Sequence, residues 1–254
     1  MRYLCILGFA VCLPLASAAD RPAAPVIVEL FTSEGCSSCP AADRLLARLE
    51  QTQPVPGAHV IAIEEHVDYW NQLGWNDPFS SPQYRARQND YAMVFHASNV
   101  YTPQMVVNGS VEFVGSDMSR AIREIGAAAQ AETTKIELAA APNSKDSELL
   151  DLSMHVIAPP AAKLRDSNVY LAVTEGNLAT AVARGENAGH TVQHSSVARS
   201  FGVIGKVDAK DNNGQVVSTL RLPHEWKREH LRAVVFVQER KSLHITGASV
   251  IDLR

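Results

Sequence analysis

The sequence predicts an α/β unit followed by a β-rich, sandwich-like unit, and three observations carry that reading. Residues 26 to about 132 alternate short apolar, β-branched runs with amphipathic stretches of helical period. From residue 133 onward the pattern changes to short strand-like runs separated by polar turns. A close cysteine pair, Cys36-Ser37-Ser38-Cys39, falls where the first strand run gives way to the first helical run.

The chain opens with Met1-Arg2, an apolar run from Leu4 to Leu15, and the small residues Ala16-Ser17-Ala18. This is the three-part pattern of a secretory signal peptide, here residues 1–19, with cleavage after Ala18 or Ala19. The run falls short of the roughly 20 apolar residues a spanning helix needs. No later run reaches that length, so the expectation is an exported, periplasmic or extracellular protein with no membrane segment in its mature form. Cys12 lacks the Leu and small-residue context of a lipoprotein cysteine. Of four encoded cysteines, Cys5 and Cys12 leave with the signal, and Cys36 and Cys39 remain. One close pair in an exported chain points to a redox dithiol or a metal site rather than to a stapled scaffold. The net charge of −4, with acids and bases interspersed, gives no basic stripe for nucleic acid and no polybasic segment for a membrane surface.

Val26 to Phe31 reads as a buried strand, ended by Thr32-Ser33-Glu34-Gly35. A helix is expected from near Cys36 through Leu45, Leu46 and Leu49, with Pro40 in its first turn, where a missing N–H does least harm. His59 to Ile63 is a second buried strand, and the strand–helix–strand order implies a right-handed parallel unit. Ser81-Pro82 starts a helix that carries Tyr84, Tyr91 and Phe95. Gln104 to Val107 and Val111 to Val114 form a hairpin about Asn108-Gly109. Asp117 caps a last helix with Met118, Ala121, Ile122 and Ile125 inward. The order over residues 20–132 is β-α-β-α-β-β-α. Over residues 133–254, strands are expected around Ile136–Leu138 and at 149–157, 169–173, 198–207, 216–222, 231–237 and 243–253.

The cysteine pair carries the chemistry. A helix N-terminus offers partial positive charge and unpaired N–H groups, and both favour thiolate over thiol at Cys36. Cys36 is then the accessible nucleophile, and Cys39, one turn on, resolves a mixed disulfide. The other readings of the same pair are an inert structural disulfide and a soft-metal site. Neither a glycine-rich phosphate motif nor another cofactor-binding pattern is present, so no cofactor is assigned, and no metal ligand set either.

Glu29-Leu30-Phe31-Thr32-Ser33-Glu34-Gly35-Cys36-Ser37-Ser38-Cys39-Pro40-Ala41-Ala42-Asp43 resembles a family of exported, thioredoxin-like bacterial proteins catalogued as a domain of unknown function. His66-Val67-Asp68-Tyr69-Trp70, the Leu73 to Ser80 segment, Tyr101-Thr102-Pro103-Gln104-Met105-Val106-Val107-Asn108-Gly109 and Arg184-Gly185-Glu186-Asn187-Ala188-Gly189 are also similar to its blocks. The resemblance implies a thioredoxin-like domain over 20–132, followed by the β-rich C-terminal domain. The Cys-x-x-Cys-Pro form implies thiol–disulfide exchange with a protein client or redox partner. In such folds a cis-proline opens the strand beside the dithiol, and the residue before it binds a client chain through its backbone; Thr102-Pro103 stands at that place. The chain departs from the common thioredoxin pattern in having no Trp before Cys36 and Ser-Ser between the cysteines.

Three further residues are candidates for acid/base work. Glu29 lies on the strand leading to the dithiol and could relay a proton to Cys39, or pair with a base. His66 and Asp68 follow the second strand, at the carboxyl ends where open α/β sheets place their sites. Trp70, Trp75 and Phe79 could cover the core or form an apolar lip. In the soft-metal reading, His66 or His96 adds an imidazole to the two sulfurs. In the reading as a non-catalytic binding protein, the β-rich half does the work. His190 and His194 have ligand spacing only on a helix, which their surroundings do not predict, and Arg184 to Gly189 reads as a polar turn without chemistry.

Overall fold

The computed structural model describes residues 22–146, 148–159, 164–210 and 213–253, so the expected signal segment 1–19 lies outside the described residues. The first half runs β1 (Ala24–Thr32), α1 (Cys39–Thr52), β2 (Ala58–His66), α2 (Pro82–Val94), β3 (Gln104–Val107), β4 (Val111–Val114) and α3 (Met118–Ala128). The second half is stranded throughout: β5 (Lys135–Pro142), β6 (Leu149–Ile157), β7 (Ser167–Glu175), β8 (Leu178–Ala181), β9 (Thr191–His194), β10 (Val197–Val207), β11 (Asn213–Arg221), β12 (Leu231–Glu239) and β13 (Ile245–Asp252).

The local signals act where they stand. Pro40 and Pro82 each occupy the first turn of a helix, and the Ser81 hydroxyl caps α2 by accepting from the Gln83 N–H at 3.2 Å. Asp117 caps α3 by accepting from the Arg120 N–H at 2.9 Å. The first helix starts at Cys39 rather than near Cys36, because residues 33–38 form tight turns in which Cys36 N–H donates to Ser33 O and Cys39 N–H to Cys36 O, both at 3.1 Å. Strands β8 and β9, each four residues long, were not foreseen.

The two halves share one sheet. Eight strands line up as β13-β12-β7-β10-β2-β1-β3-β4, with β1 and β2 parallel and β10 joined to β2 at Val197–Glu64. A separate three-stranded sheet, β11-β6-β5, stacks on the second half, and β8 and β9 form a hairpin of their own.

Side-chain alternation explains how the layers pack. Val26, Val28 and Leu30 of β1 and Val60 and Ala62 of β2 face α1 and α3, meeting Leu46, Leu49, Ala121 and Ile125. Along that same face, Val169, Leu171 and Val173 of β7 and Ala233, Val235 and Val237 of β12 meet Ile136, Leu152 and Met154 of the small sheet. Ile27, Phe31, Ile61 and Ile63 point the other way, into a core with Tyr84 and Tyr91 of α2 and Ala172, Phe201, Val234 and Phe236 of the second half. Helix α2 therefore packs across the seam between the halves. No helix among the described residues is long and apolar enough to cross a membrane.

Candidate functional site

Cys36 and Cys39 form a disulfide, with Cα atoms 5.4 Å apart, at the junction of β1 and α1. The cis-proline expected from the topology is present at Thr102–Pro103. Gln104 pairs with Phe31, so this step lies at the end of β1 that leads to Cys36. A side chain at Gly115 would meet Ala42 Cβ of α1 at 3.1 Å and Pro103 Cβ at 3.2 Å, which places Pro103 beside the first turns of α1. Trp70 ties the two segments: its indole N–H donates to Thr102 Oγ1 at 2.8 Å, and its Cβ stands 3.2 Å from where a Gly35 side chain would begin.

Cys36 is not the accessible nucleophile that its position at a helix start predicts. It is 1% exposed, although Ser37 and Ser38 beside it are open to solvent. The cause is the turn between β8 and β9, which the sequence left without a role. The buried Asn187 carboxamide donates to Glu34 O at 2.8 Å and to Cys36 O at 3.0 Å. Glu186 accepts from the Ser37 N–H at 2.9 Å, and the Ser37 side chain and then this backbone bond hold the Glu186 carboxyl below the ordinary glutamate range. An anion already occupies the positive end of the helix that a Cys36 thiolate would use. Beside this latch, a shallow groove runs between Pro40 and Arg44 of α1 and Thr191 to Gln193 of β9.

Behind the disulfide, on the α1 face of the sheet, lies a buried polar cluster. His194, at the end of β9, sits between two carboxylates, its Nδ1 3.1 Å from Glu64 Oε1 and its Nε2 3.3 Å from Glu34 Oε1. Burial works against its charge, but the hydrogen bonds to Glu34 and Glu64 and the charges of Glu64 and Asp43 outweigh it and push the imidazole up to about 11. Burial also opposes ionisation of Glu64, and His194 reverses that to hold it below the usual range. Asp43 on α1 accepts from the Thr32 hydroxyl at 2.7 Å; burial and then the Glu64 charge raise its carboxyl well above the usual range. His66 Nδ1 is 2.7 Å from Asp77 Oδ2, and its Nε2 has no hydrogen-bond partner among the described residues. Burial opposes the Asp77 charge too, but the charge of His66 and the bonds from His66, Glu34 N–H and Phe79 N–H lower its carboxyl. Trp75 closes the cluster by donating to Glu34 Oε2 at 2.7 Å.

Of the acid/base candidates, His66 joins this cluster and the other two do not. Asp68 pairs with Arg85 at 3.3 Å. Glu29 belongs to the opposite face of the sheet, since it alternates with Val28 and Leu30, against which α1 packs. Its carboxylate accepts from Arg87 Nε and from the Tyr91 hydroxyl, both at 2.5 Å, so it pairs with a base instead of reaching Cys39. The acid on the face of α1 that carries Cys39 is Asp43, four residues on and likewise buried. His96 is exposed beyond α2, and His190 is exposed on the latch turn. Glu34, Asp43, Glu64, Asp77, Glu186, Asn187 and His194 were all missed as site residues. The i, i+4 spacing of His190 and His194 drew attention to the right segment for the wrong reason, because the partner of His194 is His66, whose ring centroid is 4.7 Å away.

The fold has counterparts among solved structures. A crystal structure of a protein from Agrobacterium tumefaciens is 25% identical, with a TM-score of 0.69, the match covering 92% of this chain and 96% of that one. HBP35 of Porphyromonas gingivalis is 13% identical, with a TM-score of 0.61, covering 92% of this chain and 76% of that one. No curated protein matches the chain. Residues 27–238, which span the disulfide, the latch and the buried cluster, match one family throughout, and the chain belongs to the family described as "Protein of unknown function (DUF1223)".

Proposed function

We propose that this chain is an exported, thioredoxin-like thiol–disulfide oxidoreductase working through Cys36 and Cys39. The observation that carries the reading is the Cys36–Cys39 disulfide at a strand-to-helix junction, with the cis Thr102–Pro103 step at the same end of the sheet. A client thiolate attacks Cys36 Sγ, the Cys36–Cys39 bond breaks, and the Cys39 sulfur leaves as a thiolate. A second client thiolate then attacks the client sulfur of the mixed disulfide and releases Cys36 as a thiolate, leaving an oxidised client and a reduced pair. The reverse sequence reduces a client. In either direction Cys36 must become accessible, so the turn that carries Glu186 and Asn187 has to move. The Thr102 backbone and the groove beside Pro40 are where an extended client chain would lie.

The test is the equilibrium of the pair with glutathione, read by mass-tagging free thiols, together with trapping by Cys39→Ser. Exchange with glutathione supports the reading, as does a stable mixed disulfide formed when the Cys36 thiolate of the Cys39→Ser variant attacks a client disulfide and expels one client sulfur as a thiolate. A disulfide that resists reduction at every glutathione ratio, with no mixed disulfide trapped, overturns it in favour of a structural bridge.

A further inference from the structure

The cluster behind the disulfide has the composition of a metal site. Among the described residues, Glu64, His66 and His194 form a group of three buried ligand types whose donor atoms all lie within 4.8 Å of one another. Donors bonded to a common ion at about 2.1 Å stand at most about 4.2 Å apart, so a closing movement of about 1 Å completes the set.

Two independent features aim this group at a cation. The first is His66, which is 0% exposed. Its Nδ1 is fixed against the Asp77 carboxylate at 2.7 Å, so the Nδ1 position carries the shared proton and Nε2 presents its lone pair. That Nε2 is buried and has no hydrogen-bond partner among the described residues. Leaving a buried polar nitrogen unsatisfied is unfavourable. A carboxylate on one imidazole nitrogen with the other nitrogen free is the second-shell arrangement of a metal-bound histidine. The second feature is charge. Glu34, Glu64 and Asp77 bring three buried carboxyl groups together with two imidazoles. Among the described residues none of the three is ion-paired with a lysine or arginine; their partners are His66 and His194. A buried group of acids short of positive charge favours a cation.

We propose that Glu64, His66 Nε2 and one ring nitrogen of His194 bind a divalent ion of the zinc class. Two imidazoles and a carboxylate suit such a borderline ion, whereas a site for calcium or magnesium takes oxygen donors alone and Cu(I) selects sulfur. Glu34 flanks the set through its contact with His194 Nε2 at 3.3 Å. Phe79 covers the two imidazoles, with ring centroids 5.4 Å from His66 and 5.7 Å from His194, and keeps the site dry. The site uses neither cysteine sulfur, so it is separate from the redox reading and stands whether or not that reading holds.

The test uses the oxidised mature protein, in which the sulfurs of Cys36 and Cys39 are bonded to each other. After chelator treatment and buffer exchange, the protein is titrated with Co2+, read by visible absorption, and with Zn2+ against a chromophoric chelator. The expected result is one equivalent per chain, unchanged in a Cys36→Ser/Cys39→Ser variant and weakened at least about 100-fold in His66→Ala. Asp77→Asn keeps the volume at a supporting position and is expected to weaken binding about 10- to 100-fold. Absence of stoichiometric uptake by the wild-type protein overturns the proposal without any variant. So does undiminished affinity in His66→Ala of native circular dichroism; if that variant does not fold, undiminished affinity in Asp77→Asn decides the same point.

Discussion

Asn187 and Cys36 are 151 residues apart in the chain, yet the Asn187 carboxamide donates to the Cys36 carbonyl oxygen at 3.0 Å. The same side chain holds Glu34 O at 2.8 Å, so one residue of the second half fixes the loop that carries the first cysteine. Removing it tests whether this contact controls access to the disulfide. Asn187→Ala loses two hydrogen bonds, each worth about 0.5–1.5 kcal/mol net. If half or more of that energy holds the turn closed, the disulfide of Asn187→Ala reacts with a phosphine reductant about three- to tenfold faster than wild type. Stopped alkylation of the released thiols gives the rates, and equal rates would mean that the turn does not guard Cys36.

Glu186 makes the same latch sensitive to acid. Its carboxyl is lowered by the bonds from Ser37, so the contact is fully present above the ordinary glutamate value and is lost as pH falls through the depressed one. Phosphine reduction is therefore expected to be faster in Glu186→Gln than in wild type at neutral pH. The ratio of the two rates should fall toward one in acid, where wild-type Glu186 is itself neutral. Taking the ratio cancels the pH dependence of the reductant. A ratio constant from neutral to strongly acidic pH would show that the Ser37 contact holds nothing shut.

The strands, the helices and the cysteine pair were legible because each is written in a local pattern: β-branched runs, proline and serine at helix starts, Asn108-Gly109 at a turn. The cover over the pair was not. Asn187 and Glu186 sit in a stretch whose composition reads only as a turn, and nothing in residues 184–189 says that the turn lies on Cys36. The single sheet was hidden for a related reason, since β10 joins β2 through Val197 and Glu64, a pairing that no local period encodes. Buried acids are hard to read for the opposite reason. Glu29 was visible as an acid within a strand run, and Glu64 and Glu65, read as following the second strand, belong to β2 itself, where the face each occupies decides its chemistry. Alternation put Glu64 with His194 on one side of the sheet and Glu29 and Glu65 with Arg87 on the other.

Asp43 takes the position relative to Cys39 that the sequence assigned to Glu29. It is buried on the same helix face, and burial together with Glu64 raises its carboxyl, which suits it to hold a proton for the leaving or attacking Cys39 sulfur. Asp43→Asn is expected to slow resolution of a mixed disulfide at Cys36 by about tenfold or more. It should slow the client's first attack, which expels Cys39 and is the reverse of that step, to a similar degree, and leave the second client attack, in which Cys36 is the leaving group, within a factor of about two in rate. Single-turnover kinetics with a fluorescent peptide thiol separate the two steps. Equal slowing of the second client attack, in which Cys39 takes no part, would mean that Asp43 only shapes the helix.

Glu29 and Arg87 supply the complementary test, because the structure gives them stability without exchange chemistry. Arg87 reaches Glu29 at 2.5 Å and Glu65 at 3.4 Å, and its guanidinium lies 4.7 Å from the centre of the Phe201 ring. Burial disfavours its charge, but the charge of Glu29 more than compensates and raises it. Arg87→Met strands two acids in an apolar layer, and breaking such a buried pair lowers stability by about 3–5 kcal/mol. Glu29→Gln keeps the hydrogen-bonding shape and leaves Arg87 with Glu65, so its loss should be smaller. The double variant Glu29→Gln/Arg87→Met should recover part of the Arg87→Met deficit, because one of the stranded charges is gone. Urea denaturation of the oxidised protein gives the three stabilities. The exchange rate of Glu29→Gln with a small thiol should match wild type, because the sheet stands between Glu29 and Cys39. A rate that falls in parallel with Asp43→Asn would return Glu29 to the redox site and refute its assignment to the far face.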